Sequence, residues 1–268
     1  MYECTSPRLV ATDLDGTIVR SDGTISERTV AALGRVELAG ATLVLVTGRP
    51  PRWITDIATA VAHRGLAICA NGALVYDLHT ETAVRTHLIE PAAIAETISR
   101  LRAVMPDFRF AVEHVDGFVF EPSYKLGGWD AEAYGGRPVE PEALVAAPAT
   151  KLLAFLPGGD PDTLMGKAGK VVGDLVTITH STGRGLLEMS AYGVTKASAL
   201  AELCADHGVG PADVVAFGDM PNDLPMLTWA GRSYGVANAH PDVLAAVGRR
   251  TAANDDDGVA LVLEELFP

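Results

Sequence analysis

The feature that most constrains this chain is a repeated alternation: short apolar runs, each ending in a polar residue, separated by amphipathic stretches. Arg8 to Thr12 reads as a buried strand ending at Asp13, and Glu27 to Leu38 reads as a helix capped by Ser26. Ala41 to Val46 repeats the strand and ends at Thr47-Gly48-Arg49, before a helical stretch from about Arg52 to His63. Leu66 to Ala70 forms a third strand, stopped by the turn dipeptide Asn71-Gly72 and resumed by Ala73 to Tyr76. Strands that alternate with helices predict an α/β fold, a doubly wound, Rossmann-like parallel sheet covered on both faces.

From about residue 80 the texture changes. Val84 to Leu88, Phe108 to Glu113, Phe118 to Phe120, Lys151 to Leu156 and Val176 to His180 read as strands, with helices over Ala92 to Val104 and Asp162 to Val172. The stretch from Glu121 to Ala149, rich in Gly, Pro and Ala, carries no assignment. After about Gly185 the alternation returns: a helix over Lys196 to His207, strands over Val214 to Phe217 and Ser233 to Val236, and a last helix near Gly258 to Leu266. This pattern predicts a discontinuous core, residues 1–79 with 185–268, interrupted by an α+β domain over 80–184.

Composition narrows the function classes. The apolar fraction of 48% and charged fraction of 21% are those of a globular protein. The longest apolar runs fall far short of the roughly 20 residues that cross a bilayer, so no membrane span is expected. The opening Met1-Tyr2-Glu3-Cys4-Thr5 has neither the basic start nor the apolar run of a signal peptide. Cys4, Cys69 and Cys204 form no CxxC pair, and the expectation is reduced thiols in the cytoplasm. A net charge of −13 disfavours DNA and RNA, whose phosphates are bound by Lys and Arg. The same charge means that a site for an anionic substrate needs a metal or a few placed cations.

In an open parallel sheet, ligands bind beyond the carboxyl ends of the strands, where helix N-termini and loop amides converge. Asp13, Thr47 and Asp219 end three of the expected strands, so residues far apart in sequence are brought to one edge. Each has a bland alternative, because Asp and Thr also cap helices and start turns. Asp13-Leu14-Asp15-Gly16-Thr17 is more specific: two carboxylates this close repel unless a cation or a proton relieves them. Gly16 permits the tight backbone path of a loop folded round a phosphate, and the Thr17 hydroxyl can donate to it.

Taken with Val46-Thr47-Gly48-Arg49, Gly193-Val194-Thr195-Lys196 and Phe217-Gly218-Asp219-Met220-Pro221-Asn222-Asp223, this segment resembles the haloacid dehalogenase (HAD) superfamily, specifically its Cof-type phosphatases. Weaker agreement continues in Ala70-Asn71-Gly72-Ala73, Asn238-Ala239 and Asp257-Gly258-Val259-Ala260. The resemblance implies a HAD core with an inserted α+β cap, and a phosphatase acting on a small phosphorylated metabolite, a sugar phosphate or phosphorylated cofactor. It implies Asp13 as the nucleophile that forms an aspartyl-phosphate, and Asp15 as acid and then base. Thr47 and Lys196 would hold phosphoryl oxygens. Mg2+ would be bound by the Asp13 carboxylate, the Asp15 backbone carbonyl and Asp219, with Asp223 in support. Gly16, Thr17, Gly48, Arg49 and Asn222 would line the substrate site. Such an inventory suits phosphoryl transfer, which demands alignment and charge neutralisation above all.

Two other readings are open. One is a phosphomutase, which passes the phosphoryl group to a second hydroxyl; the other is a phosphometabolite-binding protein without turnover. Asp13, Asp15, Lys196 and Asp219 together argue against the binder, which has little need of both a nucleophile and an acid. Asp255-Asp256-Asp257 reads as the acidic start of the last helix, at the positive end of its dipole, and not as a metal site. No HxxxH pair points to zinc and no GxxxxGK[ST] loop to nucleotide-driven chemistry. In the inserted domain Tyr124, Lys125, Trp129 and Arg184 are candidates to face a leaving group, weighed against plain surface or packing roles, as are Arg49 and Arg52. The assembly expected is a monomer or homodimer.

Overall fold

The computed structural model describes residues 7–62, 65–125, 131–132, 135–182 and 184–268. The chain divides into two compact units, Met1–Arg85 with Lys196–Pro268, and Thr86–Thr195.

The core unit begins with β1 (Leu9–Asp13), α1 (Glu27–Leu38), β2 (Thr42–Val46), α2 (Thr55–Ala60), β3 (Leu66–Cys69), β4 (Leu74–Asp77) and β5 (Thr82–Thr86). All five residues of β1 are buried, as expected for a central strand with both faces covered. In α1 the buried Thr29, Ala32, Leu33 and Val36 recur at helical spacing, and the Ser26 hydroxyl accepts from the Thr29 amide at 3.0 Å, satisfying an otherwise orphaned donor. The helix expected over 52–63 is broken. Pro50 and Pro51 set off a single 3-10 turn at Pro51–Trp53, and α2 ends at Ala60; His63 lies outside the described residues.

The inserted unit carries α3 (Pro91–Val104), β6 (Arg109–Glu113), β7 (Phe118–Phe120), β8 (Gly136–Pro138), α4 (Pro141–Leu144), β9 (Lys151–Phe155), α5 (Pro161–Val172), β10 (Val176–Thr179) and β11 (Leu186–Ala191). Its six strands run β10-β11-β9-β6-β7-β8. The segment unassigned in sequence supplies β8 and α4. Strand β11 carries no expectation in sequence either: Glu188 interrupts its apolar run, and only the paired sheet shows that Lys151 pairs with that carboxylate. Side-chain alternation places Phe110, Val112, Leu152, Ala154, Leu187 and Met189 in one apolar cluster with residues of α3 and α5. Phe118, Phe120, Tyr124 and Phe155 form a second, aromatic cluster.

The chain then returns to the core with α6 (Lys196–Asp206), β12 (Val214–Gly218), α7 (Leu224–Trp229), β13 (Arg232–Gly235), α8 (Pro241–Ala246) and α9 (Gly258–Leu266). The core sheet runs β13-β12-β1-β2-β3-β4-β5. β1 is parallel to both β2 and β12, with Asp13 opposite Val46 and Thr12 opposite Phe217. The carboxyl ends of β1, β2 and β12 are therefore level, although their sequences are far apart. β4 is antiparallel to β3, because the link Ala70–Ala73 is far too short for the crossover of a dozen residues that parallel pairing needs. Among the described residues no helix is long and apolar enough to cross a membrane.

Candidate active site

The site grows from the strand ends. Asp13 closes β1 and is 4% exposed; Asp219 and Asp223 follow β12, at 7% and 0%; Lys196 opens α6 at 1%. Lys196 Nζ donates to Asp13 Oδ1 at 2.5 Å and to Asp223 Oδ1 at 2.6 Å. Asp223 Oδ2 accepts from the backbone amides of Asp219 and Met220, at 3.0 and 3.1 Å. Carboxylate oxygens of Asp13, Asp219 and Asp223 lie within 4.8 Å of one another. One ammonium thus faces three carboxylates.

That balance has electrostatic consequences. Two like charges at 4.8 Å, the outer limit of these separations, repel by roughly 3 kcal/mol at an effective dielectric constant of about 20. Burial, then the neighbouring Asp223, pushes Asp13 well above the usual carboxylate range despite Lys196. Asp219 is pushed up to about 7 by burial and by Asp223. Burial works against the charge on Lys196, yet Asp13 and Asp223 outweigh it and hold the ammonium above its usual range.

A divalent cation fits this arrangement. Asp13 Oδ2 is buried without a hydrogen-bond donor, and the donor set is all oxygen, the preference of Mg2+. The Thr17 hydroxyl, which the sequence aimed at a phosphate, donates instead to Asp219 Oδ1 at 3.3 Å and so orients a candidate ligand. Gly16 has φ +76°, and a side chain at that position would run into the Asp219 carboxylate. The turn thus depends on glycine twice over.

Asp15 is not in the cluster. Both of its oxygens sit in the guanidinium fork of Arg49, Nε to Oδ2 at 2.8 Å and Nη2 to Oδ1 at 2.5 Å, and its side chain is 54% exposed. Arg49 is itself fixed by the Trp53 carbonyl, at 3.1 Å from Nη1. Thr47 is fully buried; its hydroxyl accepts from the Arg49 amide at 3.0 Å, and Gly48, half-buried, lies between them. Asn222 is buried and donates to Asn71 Oδ1 at 3.1 Å, while its own Oδ1 has no donor.

The sequence pointed only faintly to the residues that brace the loop after β1. Asn238 Nδ2 donates to the Gly16 carbonyl at 2.8 Å, and Asn254 Nδ2 to the Val19 carbonyl at 2.9 Å. Asn238 Oδ1 in turn accepts from the Asn254 amide at 3.0 Å. The bonds to Gly16 and Val19 each span more than half the chain, so no local pattern announces them. Asp257 sits just before α9, and Arg20 and Ser26 each donate to its Oδ1 at 2.7 Å. Tyr124 is buried in the inserted unit's aromatic cluster; Trp129 lies outside the described residues.

With this geometry in place, the haloacid dehalogenase-like hydrolase family matches residues 10–263. The chain belongs to that family. It is 25% identical over 266 residues to the 5-amino-6-(5-phospho-D-ribitylamino)uracil phosphatase YitU of Bacillus subtilis, covering 98% of each chain. It is 28% identical over 264 residues to the pyridoxal phosphate phosphatase YbhA of Escherichia coli, covering 94% of this chain and 96% of that one. In fold it is similar to SMU.1108c of Streptococcus mutans, with a TM-score of 0.86 at 21% identity over 97% of this chain and 98% of that one.

Proposed function

We propose that this chain hydrolyses the phosphate monoester of a small metabolite by transferring the phosphoryl group to Asp13 and then to water. The observation that carries this reading is the buried cluster in which Lys196 bridges Asp13 and Asp223 while Asp13 Oδ2 has no donor. In a carboxylate so placed, the oxygen without a donor is open to the cation, and the oxygen oriented by the ammonium is the one that would attack phosphorus.

In the first step an Asp13 oxygen forms a bond to phosphorus as the ester oxygen departs, and Asp15 gives that oxygen its proton. In the second, water attacks the aspartyl-phosphate, Asp15 takes a proton from it, and Asp13 and inorganic phosphate separate. Asp15 must leave the Arg49 fork to do this, because a carboxylate held through both oxygens has no proton to give. Lys196 opposes charge at the nucleophile, and Thr47 and Gly48, just beyond the level carboxyl end of β2, are the donors that would serve the phosphoryl oxygens. Asp13, Asp219 and Asp223 are the side chains that would hold Mg2+, with the Asp15 carbonyl. When bound, the ion neutralises charge on the phosphoryl oxygens.

For the substrate, the relatives named for ribitylaminouracil phosphate and pyridoxal phosphate favour a phosphorylated cofactor or its precursor, with sugar phosphates in the same size class. Purified protein with Mg2+ and a panel of such monoesters should release inorganic phosphate. Asp13→Asn should abolish that release; equal turnover by the variant would remove Asp13 from the role of nucleophile.

A further inference from the structure

The link between β3 and β4 has a backbone that its length does not require. Ala70, Asn71 and Gly72 all have positive φ, at 50°, 58° and 107°. For Ala this left-handed conformation is unfavourable, and such residues persist where surrounding contacts fix them.

Hydrogen bonds from backbone and side chain hold this turn. The Ala70 amide donates to the Arg49 carbonyl at 3.0 Å and the Asn71 amide to the Thr47 carbonyl at 3.0 Å, so the turn grips both ends of Thr47-Gly48-Arg49. The Asn71 side chain, in a residue 2% exposed, accepts from Asn222 Nδ2 at 3.1 Å. Asn222 lies in the 3-10 turn Pro221–Asp223, and Asp223 in turn holds Lys196. One left-handed turn therefore touches the loop after β2 through its backbone and the loop after β12 through one amide side chain.

We infer that Asn71 is a positioning residue for the Asp13 site: through Asn222 it sets where Asp219 and Asp223 stand relative to Thr47, and thereby both metal affinity and turnover. Leu and Val would not serve, since the position needs a left-handed backbone and a buried acceptor at once. Asn supplies both: it tolerates positive φ, and its Oδ1 accepts. The inference rests on the phosphatase reading, and its test separates the two.

Asn71→Gly is the informative variant, because glycine keeps the left-handed backbone and removes only the amide. We expect kcat to fall by about tenfold or more, in keeping with the sensitivity of transfer rates to small misplacements, with KM changed much less. Calorimetric titration with Mg2+ alone, without substrate, should show affinity weakened by about tenfold, the size typical of lost support behind metal ligands. In an Asn222→Ala background the same substitution should add little, since the two amides act through one bond.

An Asn71→Gly protein with wild-type kcat and wild-type Mg2+ affinity overturns the inference. So does a loss that adds in full to that of Asn222→Ala. A wild-type chain that binds Mg2+ yet releases no phosphate overturns the phosphatase reading alone, and the titration still decides the role of Asn71. A wild-type chain that does neither overturns both.

Discussion

Each unit buries an ionic cluster built of similar groups, and the two end in different balances. In the inserted unit Lys151 Nζ meets Glu188 Oε2 at 2.5 Å, and the other oxygen of Glu188 accepts from the Ser181 hydroxyl. Glu113, across the register from Lys151, is partnered as well. In the core unit Lys196 is shared between Asp13 and Asp223, Asp219 adds a third carboxylate, and Asp13 Oδ2 has no donor. Buried charge alone does not mark a functional site, because structural ion pairs are buried too. What sets the core cluster apart is an excess of negative charge that its own side chains do not answer.

The largest effect should come from removing the shared cation. Lys196→Met is expected to lower kcat by about 100- to 1,000-fold, the range for losing a donor to developing negative charge. Steady-state phosphate release measures it, and a loss under about threefold would place the ammonium outside the chemistry. Lys151→Met should act on stability instead. Leaving Glu188 buried without its ammonium should cost about 3–5 kcal/mol in denaturant unfolding, whereas the double variant Lys151→Met/Glu188→Leu should recover most of it. A double variant as weak as the single would mean that packing, not pairing, is what the inserted cluster supplies.

The smallest effect concerns pH. Asp219 rises from an ordinary 3.8 to about 7, so between those values the folded chain holds a proton that the unfolded chain has released. Stability without metal should therefore decline as pH rises through that window, the opposite of the usual behaviour of a salt-bridged carboxylate. With Mg2+ the ionised form is favoured, and the gain in Tm over EDTA should widen by a few degrees from pH about 5 to about 8. A constant gap would show that Asp219 does not couple to the metal.

Much of the fold was legible because strand and helix periods differ and because caps are local. Ser26 before Glu27 and the apolar spacing of α1 fixed that helix to the residue, and the last helix, expected near Gly258 to Leu266, spans Gly258–Leu266. The legible part fails where the deciding partner is remote. Glu188 hid β11 because its partner Lys151 lies in β9, and Pro50-Pro51 shortened a helix that periodicity alone extended. At the site the chain's acidic loop and its motifs were visible one by one. Where Thr17 and Arg49 point was not: their partners are Asp219 and Asp15.

The sequence by itself determined the alternating elements, the residue types at the strand ends, and the need of an acidic chain for a cation at any phosphate site. Those follow from side-chain periodicity, turn chemistry and charge, which are properties of short segments. Only the tertiary structure decided that three carboxylates share one ammonium, and that an Asn-Gly turn reaches from one loop to another. Such balances are sums over groups from distant segments, and level registry of β1, β2 and β12 is what brings the segments together.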